Sequence, residues 1–146
     1  MRIAFGTDER TAVTEAVIEE LRSAGHEVEV LADGEAWPHV GHAVGAAVAN
    51  GEATFGVVCC TTGTGVSIAA NKVPGVRAAL CTDAATAEGA RRWNDANVLA
   101  FGLRLTTEAV AKEMVRAFLG TTPDPGEQPL VAAVELVTRP ANGDGA

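Results

Sequence analysis

Short β-branched or apolar runs alternate with longer amphipathic stretches along this chain, and that alternation restricts it to a parallel sheet joined by crossover helices. Arg2–Phe5 reads as the first strand, followed by a loop at Gly6–Arg10. From Thr11 to Ala24 the apolar residues Val13, Val17, Ile18 and Leu21 share one helical face, with Gly25 placed as a C-terminal cap. Glu27–Leu31 alternates polar and apolar residues, as a half-exposed strand near a sheet edge does. A loop over Ala32–Pro38 leads to a helix over His39–Asn50. Phe55–Cys60 is almost wholly apolar, the pattern of a central strand covered on both faces. The remaining units are a short helix Val66–Lys72, a strand Arg77–Cys81, a helix Asp83–Arg92, a strand Val98–Phe101 and a helix Thr106–Leu119. The expected fold is therefore α/β, a Rossmann-like three-layer sandwich on a five-stranded parallel sheet.

Residues 1–120 form that unit, and 121–139 supply a Pro-rich linker (TTPDPGEQP) and a short apolar helix Leu130–Val137. The end of the chain, PANGDGA over 140–146, reads as a disordered tail. A terminal helix exposing Leu130, Val131, Val134 and Val137 is unsatisfied alone, which predicts packing on a second subunit. The expectation is a homodimer, with a tetramer also compatible.

A length of 146 residues leaves room for about one domain. Only 4% of residues are aromatic, none of them Tyr, and the formal charge is -8, so neither base-stacking platforms nor phosphate-neutralising clusters are available. Nucleic acid is excluded as a partner. No apolar stretch approaches the roughly 18 residues of a membrane span, and Met1 leads straight into the first strand, which together predict a cytoplasmic protein without membrane attachment. Three cysteines, two of them adjacent at Cys59 and Cys60, do not make a disulfide framework. His26, His39 and His42 are too few and scattered for a metal, and no cofactor is expected.

In open α/β sheets ligands bind beyond the carboxyl ends of the strands, which points to three segments: GTDER, CTTGTG and RRWNDAN. Cys60 closes a buried strand, and Thr61, Thr62, Gly63, Thr64 and Gly65 run directly into a helix N-terminus. Glycines there let backbone N–H groups approach a ligand, and the helix dipole favours developing negative charge. The spacing fits neither GxxxxGK[ST] nor GxGxxG, so this anion cradle is not a nucleotide motif. A thiol beside it is drawn toward thiolate, making Cys60 a candidate proton-abstracting base or nucleophile. Against this stands the structural reading, since Cys is among the most buried residue types; Cys59, facing the other way, reads as core.

CTTGTGVSIAANKVPGVRAAL, WNDANVLAFGLR, the opening IAFGTDE and the run WPH at Trp37–His39 together resemble the ribose-5-phosphate isomerase B and galactose-6-phosphate isomerase family over about Met1–Leu119. The resemblance implies a dimeric Rossmann-like sandwich whose active sites draw on both subunits, without metal or nucleotide. It implies aldose–ketose isomerisation through a cis-enediolate, with Cys60 moving the proton between C1 and C2 and Thr62–Gly65 supplying donors to the oxyanion. On this resemblance Cys60 and Thr62 are catalytic, and Asp8, His39, Gly63, Thr64, Gly65, Asn94 and Arg104 bind substrate; Glu9 and Trp93, where the chain differs from the family, are expected to bind substrate as a hydroxyl or cation acceptor and as an apolar, sugar-stacking wall. For two of these a structural reading competes: Asp8 as a helix cap and Arg104 as a surface ion-pair partner.

The chain also departs from the family pattern. Glu9 stands where the family has His in its first loop, and Trp93 stands where the family has the His that opens the sugar ring. An indole neither gives nor accepts a proton at neutral pH, so the usual ring-opening machinery is missing. The family's C-terminal arginine pair, which clamps the substrate phosphate, aligns with Glu127 and Val131. Arg10, Arg91, Arg92 and Arg139 read as surface charge and not as replacements. These departures predict a sugar-like hydroxy-carbonyl substrate without the terminal phosphate; a non-catalytic sugar-binding relative and an ordinary ribose-5-phosphate isomerase are the alternatives.

Overall fold

Five parallel strands, in the order β2-β1-β3-β5-β4, form the middle layer of the computed structural model, which describes residues 1–137. They are β1 (Arg2–Thr7), β2 (Glu27–Asp33), β3 (Phe55–Cys60), β4 (Ala78–Leu80) and β5 (Val98–Gly102). The helices are α1 (Ala12–Ser23), α2 (Trp37–Ala49), α3 (Thr64–Asn71), α4 (Ala84–Asn94), α5 (Glu108–Gly120) and α6 (Gln128–Val137), the last preceded by a single 3₁₀ turn at Pro125–Glu127. The expected α/β sandwich is thus the fold, with β3 central and β2 at an edge. The tail over 140–146 and Arg139 lie outside the described residues.

Side chains alternate across each strand and feed two separate cores. On one face Ile3, Phe5, Val57, Cys59, Leu99 and Phe101 meet Val17, Leu21, Met114 and Phe118. On the other, Ala4, Val58, Cys60, Val98 and Ala100 meet Val40, Val44, Val66 and Ala70 of α2 and α3. The adjacent thiols of Cys59 and Cys60 therefore belong to different layers, as strand geometry requires.

Several boundaries differ from the sequence expectation for identifiable reasons. β1 and β2 run to Thr7 and Asp33 because their ladder continues through Thr7↔Asp33 after an irregularity at Phe5/Gly6. α2 starts at Trp37 because Pro38 sits in its first turn, where a missing N–H costs nothing. α4 continues through Trp93 and Asn94 and ends only when Asp95 turns left-handed at φ 46°. The WNDAN segment is therefore a helix end and not a loop.

Arg91 also departs from expectation. It is 6% exposed, its guanidinium carbon lies 4.5 Å from the Phe55 ring centroid and 5.7 Å from that of Phe118, and it donates to Asp95 and Ala96. Aromatic faces and a carboxylate together offset the desolvation of this cation. Arg91 is a structural cation, whereas Arg10 and Arg92 are surface charges paired with Glu15 and Asp33 and with Glu88.

Candidate functional site

The carboxyl ends of β1, β3 and β5 meet at one edge of the sheet. Thr7 pairs with Cys59 and Cys60 with Gly102, so the chain leaving β1 at Asp8 runs beside the end of β3. The Asp8 N–H reaches Cys59 O at 3.4 Å. Beyond β5 the Leu103 and Arg104 N–H groups donate to Cys60 O and Thr61 O, both at 2.9 Å, fixing the start of the turn that follows Cys60.

That turn is held by glycines where a side chain has no room. Gly63 adopts φ 78°, and a Cβ there would lie 2.6 Å from both Leu80 Cδ1 and the Phe101 carbonyl carbon. A Cβ on Gly102 would lie 2.6 Å from Thr62 O, so the two loops touch backbone to backbone. No side chain caps α3, and the N–H groups of Thr64, Gly65 and Val66 find no acceptor among the described residues. Together with the helix dipole they form a cradle for an oxyanion. The exposed Thr62 hydroxyl lies 2.6 Å from that of Thr64, leaving one hydroxyl proton of the pair free to serve a ligand.

Asp8 follows β1 beside the end of β3. Thr11, not Asp8, caps α1, so the competing reading of Asp8 as a helix cap does not hold. One Asp8 carboxylate oxygen is buried without a hydrogen-bond partner among the described residues, and burial, then the neighbouring Glu9, pushes its pKa above the ordinary aspartate range. Glu9 is exposed, its backbone latched by the Thr7 hydroxyl at 2.6 Å and 3.2 Å. Arg104 is exposed and enters no ion pair among the described residues. Cys60 retains 5% exposure where Cys59 has none, and burial pushes the Cys59 thiol up to about 12.

Composition gave no sign of Trp37 as part of this arrangement; the signal was the WPH run that opens α2. Its indole lies on Gly65, where a Cβ would come within 2.8 Å of ring carbon Cδ2, while 44% of the residue stays exposed. His39 is exposed on the same helical turn.

Trp93 and Asn94 are not brought to the cradle within one chain. They line a separate groove of about 1020 Å³ with Leu80, Cys81, Glu127, Leu130, Val131 and Val134 among its walls, and Cys60, Thr62 and Asp8 are not among them. Leu80 stands between the two, lining the groove and touching the space beside Gly63. Burial pushes the Cys81 thiol up to about 11, so this groove offers no ready thiolate.

Comparison with known proteins matches residues 3–131 to the family described as Ribose/Galactose Isomerase. Ribose-5-phosphate isomerase B of Escherichia coli is 38% identical over 149 residues, covering 97% of this chain and 99% of that protein. D-erythrulose-4-phosphate isomerase of Pectobacterium atrosepticum is 41% identical over 83 residues, 57% of this chain and 55% of its own. The type B ribose 5-phosphate isomerase of Trypanosoma cruzi superimposes with a TM-score of 0.88 at 36% identity, over 94% of this chain and 98% of that one. With matches of this extent in sequence and in fold, the chain belongs to the ribose/galactose isomerase family.

Proposed function

We propose that this isomerase interconverts an aldose and a ketose through a cis-enediolate, with Cys60 as the base. In the forward direction the thiolate takes the C2 proton of the aldose, the C–H electron pair becomes the enediolate double bond, and negative charge gathers on the C1 oxygen. The N–H groups of Thr64, Gly65 and Val66 face that charge. The thiol returns the proton to C1 while the C2 hydroxyl proton passes to the C1 oxygen through the Thr62–Thr64 hydroxyl pair. The observation carrying this reading is the uncapped N-terminus of α3, set directly after Cys60. Oxyanion donors of this kind are typically worth about 2.7–4 kcal/mol each and a positioned base about 10²–10⁴-fold. Family membership favours this over a non-catalytic sugar-binding relative.

The substrate we infer is a short, open-chain hydroxy-carbonyl compound without the terminal phosphate. Trp93 cannot relay the protons that opening a cyclic sugar requires, and Glu127 and Val131 line the groove where the family resemblance expects two arginines. Asp8 and Glu9 serve as acceptors for substrate hydroxyls. A phosphorylated substrate is the second reading, favoured by Arg104, which has no ion pair among the described residues, and by relatives named ribose-5-phosphate isomerase B and D-erythrulose-4-phosphate isomerase. We further propose a cytoplasmic homodimer in which the groove of one copy closes over the cradle of the other, bringing Trp93 and Asn94 to Cys60. The exposed Leu130 and Val134 of α6 support that contact.

The test is a matched panel of free and phosphorylated tetroses and pentoses in deuterium oxide, with exchange at C2 followed by NMR. Exchange is expected with the free open-chain compounds. Turnover confined to the phosphorylated partners would transfer the assignment to the second reading.

A further inference from the structure

We propose that Arg77 is a positioning residue that clamps α6 to the end of α4, so that the Trp93 wall of the groove keeps its shape only while the clamp is closed. The inference rests on the reading that Trp93 and Asn94 belong to the isomerase site.

Arg77 is itself held by the backbone. Its N–H donates to Asn97 Oδ1 at 2.7 Å, the same amide donates to Gly75 O at 2.9 Å, and the Asn97 N–H returns to Arg77 O at 2.9 Å. From that base the guanidinium reaches in two directions. Toward α4, Nε donates to Asp95 O at 2.8 Å and Nη2 lies 3.6 Å from Asp95 Oδ2. Toward α6, Nη1 donates to Glu135 Oε1 at 2.7 Å. Asp95 is the left-handed residue that ends α4 immediately after Trp93 and Asn94, and its other carboxylate oxygen receives Arg91 Nη1 at 2.8 Å. One planar fork thus joins the turn that fixes Trp93 and Asn94 to the helix that carries Leu130, Val131 and Val134 across the groove. A lysine, with one point charge, cannot satisfy both directions at once.

Glu135→Gln opens the α6 arm without touching the cradle, and at 37% side-chain exposure it leaves the core intact. The chain has two tryptophans, so acrylamide quenching in a Trp37→Phe background reports Trp93 alone. Deuterium exchange at C2 is measured in parallel with both tryptophans present. The clamp predicts that Glu135→Gln increases Trp93 quenching and slows exchange on the order of ten-fold, mainly in kcat, as displacement of a wall does. In an Arg77→Lys chain the same substitution adds little, because the two side chains form one coupled pair. Unchanged quenching together with unchanged exchange in Glu135→Gln would overturn the clamp while leaving the isomerase reading intact. Increased quenching in a protein whose parent exchanges no compound would uphold the clamp and remove that reading.

Discussion

One oxygen of the Asp8 carboxylate is buried without a partner among the described residues, and the group is held above the ordinary aspartate range by burial and by Glu9. The folded chain therefore binds this proton more tightly than the unfolded chain. Stability is lost as pH rises from the unfolded value through the raised folded one. Asp8→Asn removes the charge and is predicted to raise the melting temperature at pH 7 while weakening turnover. The stability gain should vanish below about pH 3.9, where the unfolded carboxyl is itself protonated. A melting temperature unchanged or lowered at pH 7 would mean that Asp8 finds a partner in solution. Asp8 and Cys60 were legible as candidates because each lies where a strand of a parallel sheet reaches its carboxyl end. The seat of the Trp37 indole was not legible, because it lies across Gly65, a contact between segments far apart in the chain.

Among the elements, α4 shows what periodicity conveys and what it omits. Asp83 accepts from the Thr86 N–H at 2.7 Å and marks the helix start, but nothing local shows that the helix runs on through Trp93. That length is set at Asp95, gripped by Arg77 from outside the helix and by Arg91 from one turn back within it. Arg91 escaped the sequence reading for the same reason: its aromatic partners Phe55 and Phe118 come from β3 and α5. Gly89 gives this helix a testable detail. In an exposed helix interior Gly→Ala stabilises by about 0.5–1 kcal/mol, yet here the new Cβ would meet Trp93 Cζ3 at 2.7 Å. Gly89→Ala is predicted to displace the indole, shifting Trp93 emission in a Trp37→Phe background, with less stabilisation than helix propensity alone provides. Full propensity gain with unaltered emission would show that Trp93 does not depend on this seat.

At the scale of the molecule, the sheet places a cradle at its carboxyl edge and the last helix frames an apolar groove beside it, but a single chain leaves the two apart. Alternation of strands and helices made the sandwich readable from the first residues, whereas this separation depends on packing around Leu80. No helix among the described residues is long and apolar enough to cross a membrane. Leu130 is 65% and Val134 48% exposed, so Leu130→Glu with Val134→Glu is predicted to leave the fold intact, yield monomers by sedimentation and abolish turnover. Monomers of full activity would show that one chain suffices. The most direct test of the account is solvent deuterium incorporation at C2 of a turned-over substrate, compared between the parent and Cys60→Ser. Loss of at least about a hundred-fold in the serine variant, with its fold unchanged, is the predicted result; incorporation at the parental rate would contradict it.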